Sequence, residues 1–158
     1  LAKIQEMPKG TFEFTDTLEV NFDNNIEKPT PIKVAITVKD KELIVDFTGT
    51  GPQIAGALNC TYAVTVACVY YAVKAMTDPE IPSNSGAYRP ITVIAPLGTI
   101  ANPKFPAAVS NANTNTSMRI ADALFGALDK ILPEHAVAAS SGTMSLFTIG
   151  GVDPKRER

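Results

Sequence analysis

Two stretches of the chain concentrate polar side chains at spacings suited to gripping a small polar molecule. "SNSGAYRP" places Asn84, Ser85 and Arg89 in one turn, with Gly86 between them. "SNANTNTSMR" runs Asn111, Asn113, Ser117 and Arg119 just before and into a predicted helix, with Asp122 one turn on. Amides and guanidinium groups hold an amide or a carboxylate by paired hydrogen bonds. The same side chains also cap helices and anchor loops, so both roles stay open. Arg119 in a first helical turn opposes the helix dipole. An i,i+3 pair with Asp122 offsets that cost, or Arg119 faces an oxygen brought by a substrate or a partner chain.

A third stretch, "VDFTGTGPQIAGALN", carries Gly49, Gly51 and Gly56 between a strand-like and a helix-like run. Phosphate-gripping loops have that setting, but the spacing is G-x-G-x-x-x-x-G. The dinucleotide fingerprint needs G-x-G-x-x-G, and the P-loop needs Lys-Ser/Thr after its last glycine, where this chain has Ala57-Leu58. Pro52 also removes a backbone donor. The glycines therefore predict a bend by which the chain leaves a sheet edge. Backbone contact with a substrate or neighbouring subunit is the alternative. Asn59, just beyond, is placed to cap the next helix.

Groups for covalent or acid–base chemistry are sparse. There is no G-x-S-x-G nucleophile elbow. His135, the only histidine, follows a predicted helix end, where a surface histidine is common. Asp46 is the one acid inside an apolar strand run. Cys60, at a predicted helix start, is either a lowered-pKa thiol or a buried inert one. Cys60 and Cys68 on one helix would stand about 12 Å apart along its axis, whereas a disulfide needs Cα atoms within about 7 Å. Free thiols fit a reducing cytoplasm. One histidine leaves a Cys/His zinc site short of ligands.

The elements that must position these residues follow from periodicity. In "GTFEFTDTLEV" and on to Phe22 the apolar residues Phe12, Phe14, Leu18, Val20 and Phe22 fall on even positions, a half-buried strand. "IKVAITVKDKELIVDF" gives two more strands around Lys39-Asp40-Lys41, completing an antiparallel meander. A helix runs from about Thr61 to Met76; it is apolar nearly all round, which predicts cover on most sides. "ITVIAP" predicts a short buried strand, and Ala107–Val109 a brief one. A second helix spans about Thr116 to Leu132, with Ile120, Leu124, Ala127, Leu128 and Ile131 as its apolar stripe and Pro133 as its stop. "AVAASSGTMSLFTIGG" predicts strand, turn, strand. The expected fold is α+β: a meander, then two core helices packed on a mixed, mainly antiparallel sheet. Residues 1–158 are expected to form one domain.

Composition narrows the function classes. Of 158 residues, 45% are hydrophobic and 19% charged, which places the chain among globular proteins. The net charge of -2 and the lack of a basic stripe argue against nucleic acid. The closing Lys155-Arg156-Glu157-Arg158 is short and mixed in sign, a solvated end. The apolar run Tyr62–Val73 is shorter than the about 20 residues a membrane span needs. The opening, "LAKIQEMPKG", looks like the tail of a helix running into a loop, as in an internal segment of a longer protein.

The order D-F-x-G, then Asn before a long apolar helix, then N-x-G-x-x-R-P, then N-x-x-T-S-x-R-I-x-D, with "AASSGTM" after it, resembles the hydantoinase B/oxoprolinase family. The resemblance runs from about Gly10 to Gly142. That family includes the B subunit of ATP-dependent N-methylhydantoinase, the C-terminal half of 5-oxoprolinase and a large subunit of acetone carboxylase. The resemblance implies an internal piece of a subunit several times longer, in a cytoplasmic complex that opens cyclic amides. ATP is then expected on a hydantoinase A-type partner, with no cofactor on this segment. A divalent metal, as in the carboxylase branch, is expected upstream of Leu1. An assembly of identical copies is also expected from apolar surface left without neighbours. The matching motif positions are Asp46, Gly49, Asn59, Asn84, Gly86, Arg89, Asn111, Asn113, Ser117, Arg119 and Asp122. "SNAN" departs from the small, glycine-containing stretch of the family, which weakens Ser110 and Asn111 most. A fragment of an acetone carboxylase-like subunit, and a scaffold module without catalytic groups, are the alternatives.

Overall fold

Even-numbered apolar positions build the inner face of a sheet. The computed structural model describes residues 2–19, 29–145 and 149–151. After a short helix α1 (Ala2–Glu6), β1 (Gly10–Leu18) pairs antiparallel with β2 (Thr30–Val38), Phe14 opposite Val34 and Asp16 opposite Ile32. A turn closed by Lys39 N–H on the Glu42 carbonyl (2.9 Å) leads to β3 (Leu43–Asp46), antiparallel to β2. Ile32, Val34, Ile36 and Val38 of β2 and Leu43 and Val45 of β3 are buried on one side. The expected meander is present. Val20 and Phe22 lie outside the described residues.

The fourth strand, β4 (Ile91–Ile94), joins β3 in parallel, giving the order β1-β2-β3-β4. It is half-buried at the sheet margin, with Ile94 43% exposed, and is not the fully buried strand that "ITVIAP" suggested. On the outer face, Thr92 donates to Glu42 (2.9 Å), and that hydroxyl together with Lys39 holds the Glu42 carboxyl below its ordinary range. The glycine stretch therefore leaves from an interior strand, not a sheet edge.

Helix α2 (Tyr62–Thr77) buries one stripe, Thr65, Cys68, Val69, Ala72, Val73 and Met76. Its apolar composition suggested cover on most sides, yet Tyr62 and Tyr71 are 44% and 60% exposed. Tyr71 instead meets Phe125 edge to face, and Tyr70 stacks on Tyr88 with ring centroids 4.0 Å apart. Tyr88 ends the four-residue helix α3 (Ser85–Tyr88).

Helix α4 (Ser117–Leu128) lies on β1 and β2, and α2 packs on α4. All five residues of its expected stripe are buried. The helix ends earlier than expected; Asp129 and Leu132 N–H groups close its last turns, and Pro133–His135 begin a 3-10 turn. Expected strands in two regions are corrected. Residues 107–109 form none, because the local carbonyl and N–H groups go elsewhere: Ala108 O to Asn59, and Asn111 N–H to Ala57 O. The described residues of 136–151 form none either; Ser140 and Met144 bond to α4 and the turn before it. Leu146–Thr148 lie outside the described residues.

Helix α4 approaches the sheet closely at Gly126, where an added Cβ would meet the Phe14 ring at 2.7 Å. Overpacking of this kind costs about 1–3 kcal/mol. Gly126→Ala should lower the stability of the full-length protein by that amount in urea titration, while Phe14→Leu combined with Gly126→Ala recovers part of the loss.

Candidate binding cleft beside helix α4

The glycine stretch bends as expected, but its polar groups are spent on the fold. Asp46 Oδ1 accepts from Thr48 N–H (2.8 Å), and Gly49 takes φ +94°. Thr50, buried, exchanges hydrogen bonds with the Lys33 backbone, and Gly51 donates to Pro31 O (2.8 Å). Gly51 sits so near β2 that a Cβ would meet Thr30 Cγ2 at 2.7 Å.

Asn59 does not cap α2. Thr61 holds that position, without a side-chain cap bond. Asn59 is fully buried; its Oδ1 accepts from Ile54 N–H (2.8 Å) and its Nδ2 lies within reach of the carbonyls of Ile54 (2.8 Å), Gly56 (3.0 Å) and Ala108 (3.0 Å). It fastens two loops from remote parts of the chain. Asn84 does cap, accepting from Ala87 N–H (3.0 Å) at the start of α3; Gly86 lies against its side chain, and Arg89 is exposed at the end of α3.

The second polar loop forms a wide π-helical turn, Ala112–Thr116, that runs straight into α4. Ser117 N–H reaches back to Ala112 O, and Ser117 Oγ donates to Asn113 O (2.9 Å). The Asn111 carbonyl accepts from Asn115 N–H (3.2 Å). Thr116, fully buried, donates to Leu58 O. Asn111 precedes the turn and Asn113 lies within it, and neither caps α4.

Arg119 does not pair with Asp122. Its Nη1 faces Asp16 Oδ2 on β1 at 3.4 Å. Asp122 instead takes Ser140, through Oγ (2.9 Å) and N–H (3.3 Å). Gly142, at φ +69°, lies against the Arg119 guanidinium so tightly that any Cβ would overlap it. Thr143 Oγ1 reaches Asn115 Oδ1 (2.7 Å) and Met144 N–H reaches Thr114 O (2.8 Å), completing the fastening of residues 140–144 along the helix start. Just before this strap, between residues 137–139, α4 and β1, lies a cleft of about 300 Å³. Arg119, Asp16, Asp122 and Asp129 supply its charges, and Phe14 and Phe125 its apolar wall. Of the sequence candidates, Arg119 and Asp122 line it; Asn84, Gly86 and Arg89 do not.

Sequence reasoning missed Asp16, Asp129 and Gly142. A signal existed for Asp16: it stands at an even, inward position of β1 between Phe14 and Leu18. The "SSG" of the quoted motif held Ser140 and Gly142, but their partners are distant in sequence.

Both cysteines are free and buried. Burial pushes the Cys60 thiol up to about 11, and burial with the nearby Cys60 pushes Cys68 up to about 12. Cys60 is therefore an inert thiol, not an activated one. His135 Nδ1 lies 2.7 Å from Met76 O, and among the described residues no three His, Cys, Asp or Glu side chains converge on a common point suited to a metal. Among the described residues, too, no helix is long and apolar enough to cross a membrane.

This α+β arrangement recurs as a part of larger solved structures. The chain superposes on the crystal structure of the ATP-dependent caprolactamase from Pseudomonas jessenii with a TM-score of 0.74 and 26% identity, over 85% of this chain and 23% of that one. The family model described as hydantoinase B/oxoprolinase matches residues 1–158, and the chain belongs to that family. It is 47% identical over 120 residues to an uncharacterized protein of Methanocaldococcus jannaschii, covering 76% of this chain and 21% of that protein. It is 34% identical over 119 residues to the 5-oxoprolinase of Dictyostelium discoideum, covering 75% of this chain and 9% of that enzyme. The chain thus spans about a tenth to a fifth of the length of these relatives.

Two outcomes test the local structure. Gly142→Ala should displace residues 140–144 from Arg119, seen as faster amide exchange across that strap with little change in the β2 and β3 amides. At pH 8 both thiols should resist a disulfide reagent in the folded protein and react together once urea unfolds it.

Proposed function

We propose that the full-length protein containing this chain is the B-type subunit of an ATP-dependent cyclic amidase, opening hydantoin or 5-oxoproline rings. A hydantoinase A-type subunit works with it and carries the nucleotide. Membership of the hydantoinase B/oxoprolinase family along all 158 residues is the observation that carries this reading. The likeness to an ATP-dependent caprolactamase supports it, since a lactam is a cyclic amide. In this chain, the Arg119 cleft would hold the polar end of the substrate by charge-assisted hydrogen bonds. Asn59, Asn84 and Asp46 act as loop anchors, and any divalent metal belongs to residues outside this chain.

The test is a panel of assays on the full-length protein with its A-type partner. ATP-dependent loss of 5-oxoproline or a hydantoin is expected, and loss of acetone instead would move the protein to the carboxylase branch. Arg119→Ala should lower kcat/KM by about tenfold or more, equivalent to about 1.4 kcal/mol of transition-state stabilisation, with light scattering showing unchanged assembly. A variant that alters assembly and leaves turnover per complex intact would make this segment a scaffold.

A further inference from the structure

One wall of the Arg119 cleft is a single run of chain outside any helix or strand. Val137, Ala138 and Ala139 form it, and the chain continues from them into the strap at 140–144. Main-chain hydrogen bonds tie this run down at its two ends, Ala136 N–H on Pro133 O (3.3 Å) and Met144 N–H on Thr114 O (2.8 Å). Among the described residues, no bond between main-chain groups holds any residue from 137 to 143. All of these but Gly142 are exposed. Apolar burial therefore does little to keep the run in place, and backbone held in this way opens at low free energy.

What fastens it is a relay of hydrogen bonds that ends on Arg119. Ser140 Oγ donates to Asp122 Oδ2 (2.9 Å), and Ser140 N–H reaches Asp122 Oδ1 (3.3 Å). The same Ser140 Oγ accepts from Gly142 N–H (2.9 Å). A hydroxyl has one proton to give and two lone pairs to offer, so both bonds form together. Gly142 is thereby set against the guanidinium: the three atoms nearest a Cβ built there are Arg119 Cζ, Nε and Nη1. Nη1 is also the nitrogen that faces Asp16. Arg119 lies beneath the run with its side chain 28% exposed. Of the five N–H donors of a guanidinium, it uses one in a side-chain hydrogen bond among the described residues. Asp129, farther along α4, has one oxygen sealed from solvent without a partner among the described residues, and makes no bond to the run.

We propose that residues 137–143 are a lid on the Arg119 cleft and that Asp122 and Ser140 are its latch. Closed, as in this structure, the lid covers the Nε and Nη1 side of the guanidinium. Open, it leaves those donors free for a carbonyl or carboxylate oxygen. Asp122 is then a positioning residue, acting on Arg119 through Ser140 and Gly142. Gly142 permits closure, because any side chain there would hold the lid away from Arg119. That the lid admits and encloses a ring substrate rests on the proposed function.

The test uses the full-length protein and phenylglyoxal, an arginine reagent, with labelling at Arg119 read by peptide mass spectrometry alongside amide exchange. A hydrogen bond to a charged group shifts an equilibrium by about tenfold, so Ser140→Ala should raise Arg119 labelling and exchange at 137–143 by about that factor. Exchange in β2 and β3 should stay as it was. Ser140→Thr, which keeps the hydroxyl at an exposed position, should restore the slow rates. Asp122→Ala should match Ser140→Ala, and the double variant should go no further than either. With ring substrate, ATP and the partner subunit, Ser140→Ala should raise KM by a larger factor than it lowers kcat, and Ser140→Thr should return KM. Equal labelling in Ser140→Ala and the unmodified protein, or effects that add in the double variant, would overturn the proposal. If Asp122→Ala loses the protection of β2 and β3, the two Ser140 variants decide alone. Ring opening with Arg119 labelling indifferent to residue 140 would remove the lid and spare the enzymatic reading; a working latch without ring opening would do the reverse.

Discussion

The contact between Gly126 and the Phe14 ring sets the geometry of everything around it. Helix α4 touches both strands of the long hairpin and helix α2. Because residue 126 has no side chain, the helix axis lies close to β1, and Phe14 occupies the vacated space. That spacing brings Arg119, two turns upstream, within reach of Asp16 two residues along the same strand. A wider separation would leave both charges partly buried and apart, which costs more than an exposed pair of the same kind gains.

Around that contact the polar residues divide into two sorts. Asn59 and Thr116 are fully buried and fully engaged, joining the loop at 54–58 to the loop at 108 and to the start of α4. Buried amides and hydroxyls in that situation specify one loop arrangement, since any other leaves donors or acceptors without partners. Arg119 and Asp129 belong to the second sort, charged and incompletely matched. The contrast separates groups whose hydrogen-bonding capacity the scaffold uses up from groups it leaves incompletely matched, and the motif spacing alone did not make it.

The meander, both long helices and the apolar stripe of α4 were legible in the sequence, because burial on one face writes a period of two or of 3.6 directly into residue types. What depends on long-range pairing was not. The parallel attachment of β4 leaves no trace in "ITVI", and the Ser140 and Gly142 contacts with Asp122 and Arg119 join residues far apart in the chain. Asn59 followed the rule for a helix cap by position, but a buried amide with four backbone groups around it had stronger demands than the helix start. The 136–145 segment looked strand-like from its small and β-branched residues, yet its partners are side chains on a helix and not another strand.

The parallel pairing of β3 with β4 has a bearing on how the chain acquires its shape. β1, β2 and β3 are neighbours in sequence, and β2 and β3 meet through the tight turn at Lys39. β4 cannot dock until the whole stretch between Asp46 and Ile91, α2 included, has been laid across the sheet. Pairings of that separation carry a large loop-closure entropy and form late. The hairpin pair would therefore collapse first, and the margin of β3 stays open as a sticky ledge during synthesis. Chaperone demand and misassembly should centre on that margin and not on the polar loops.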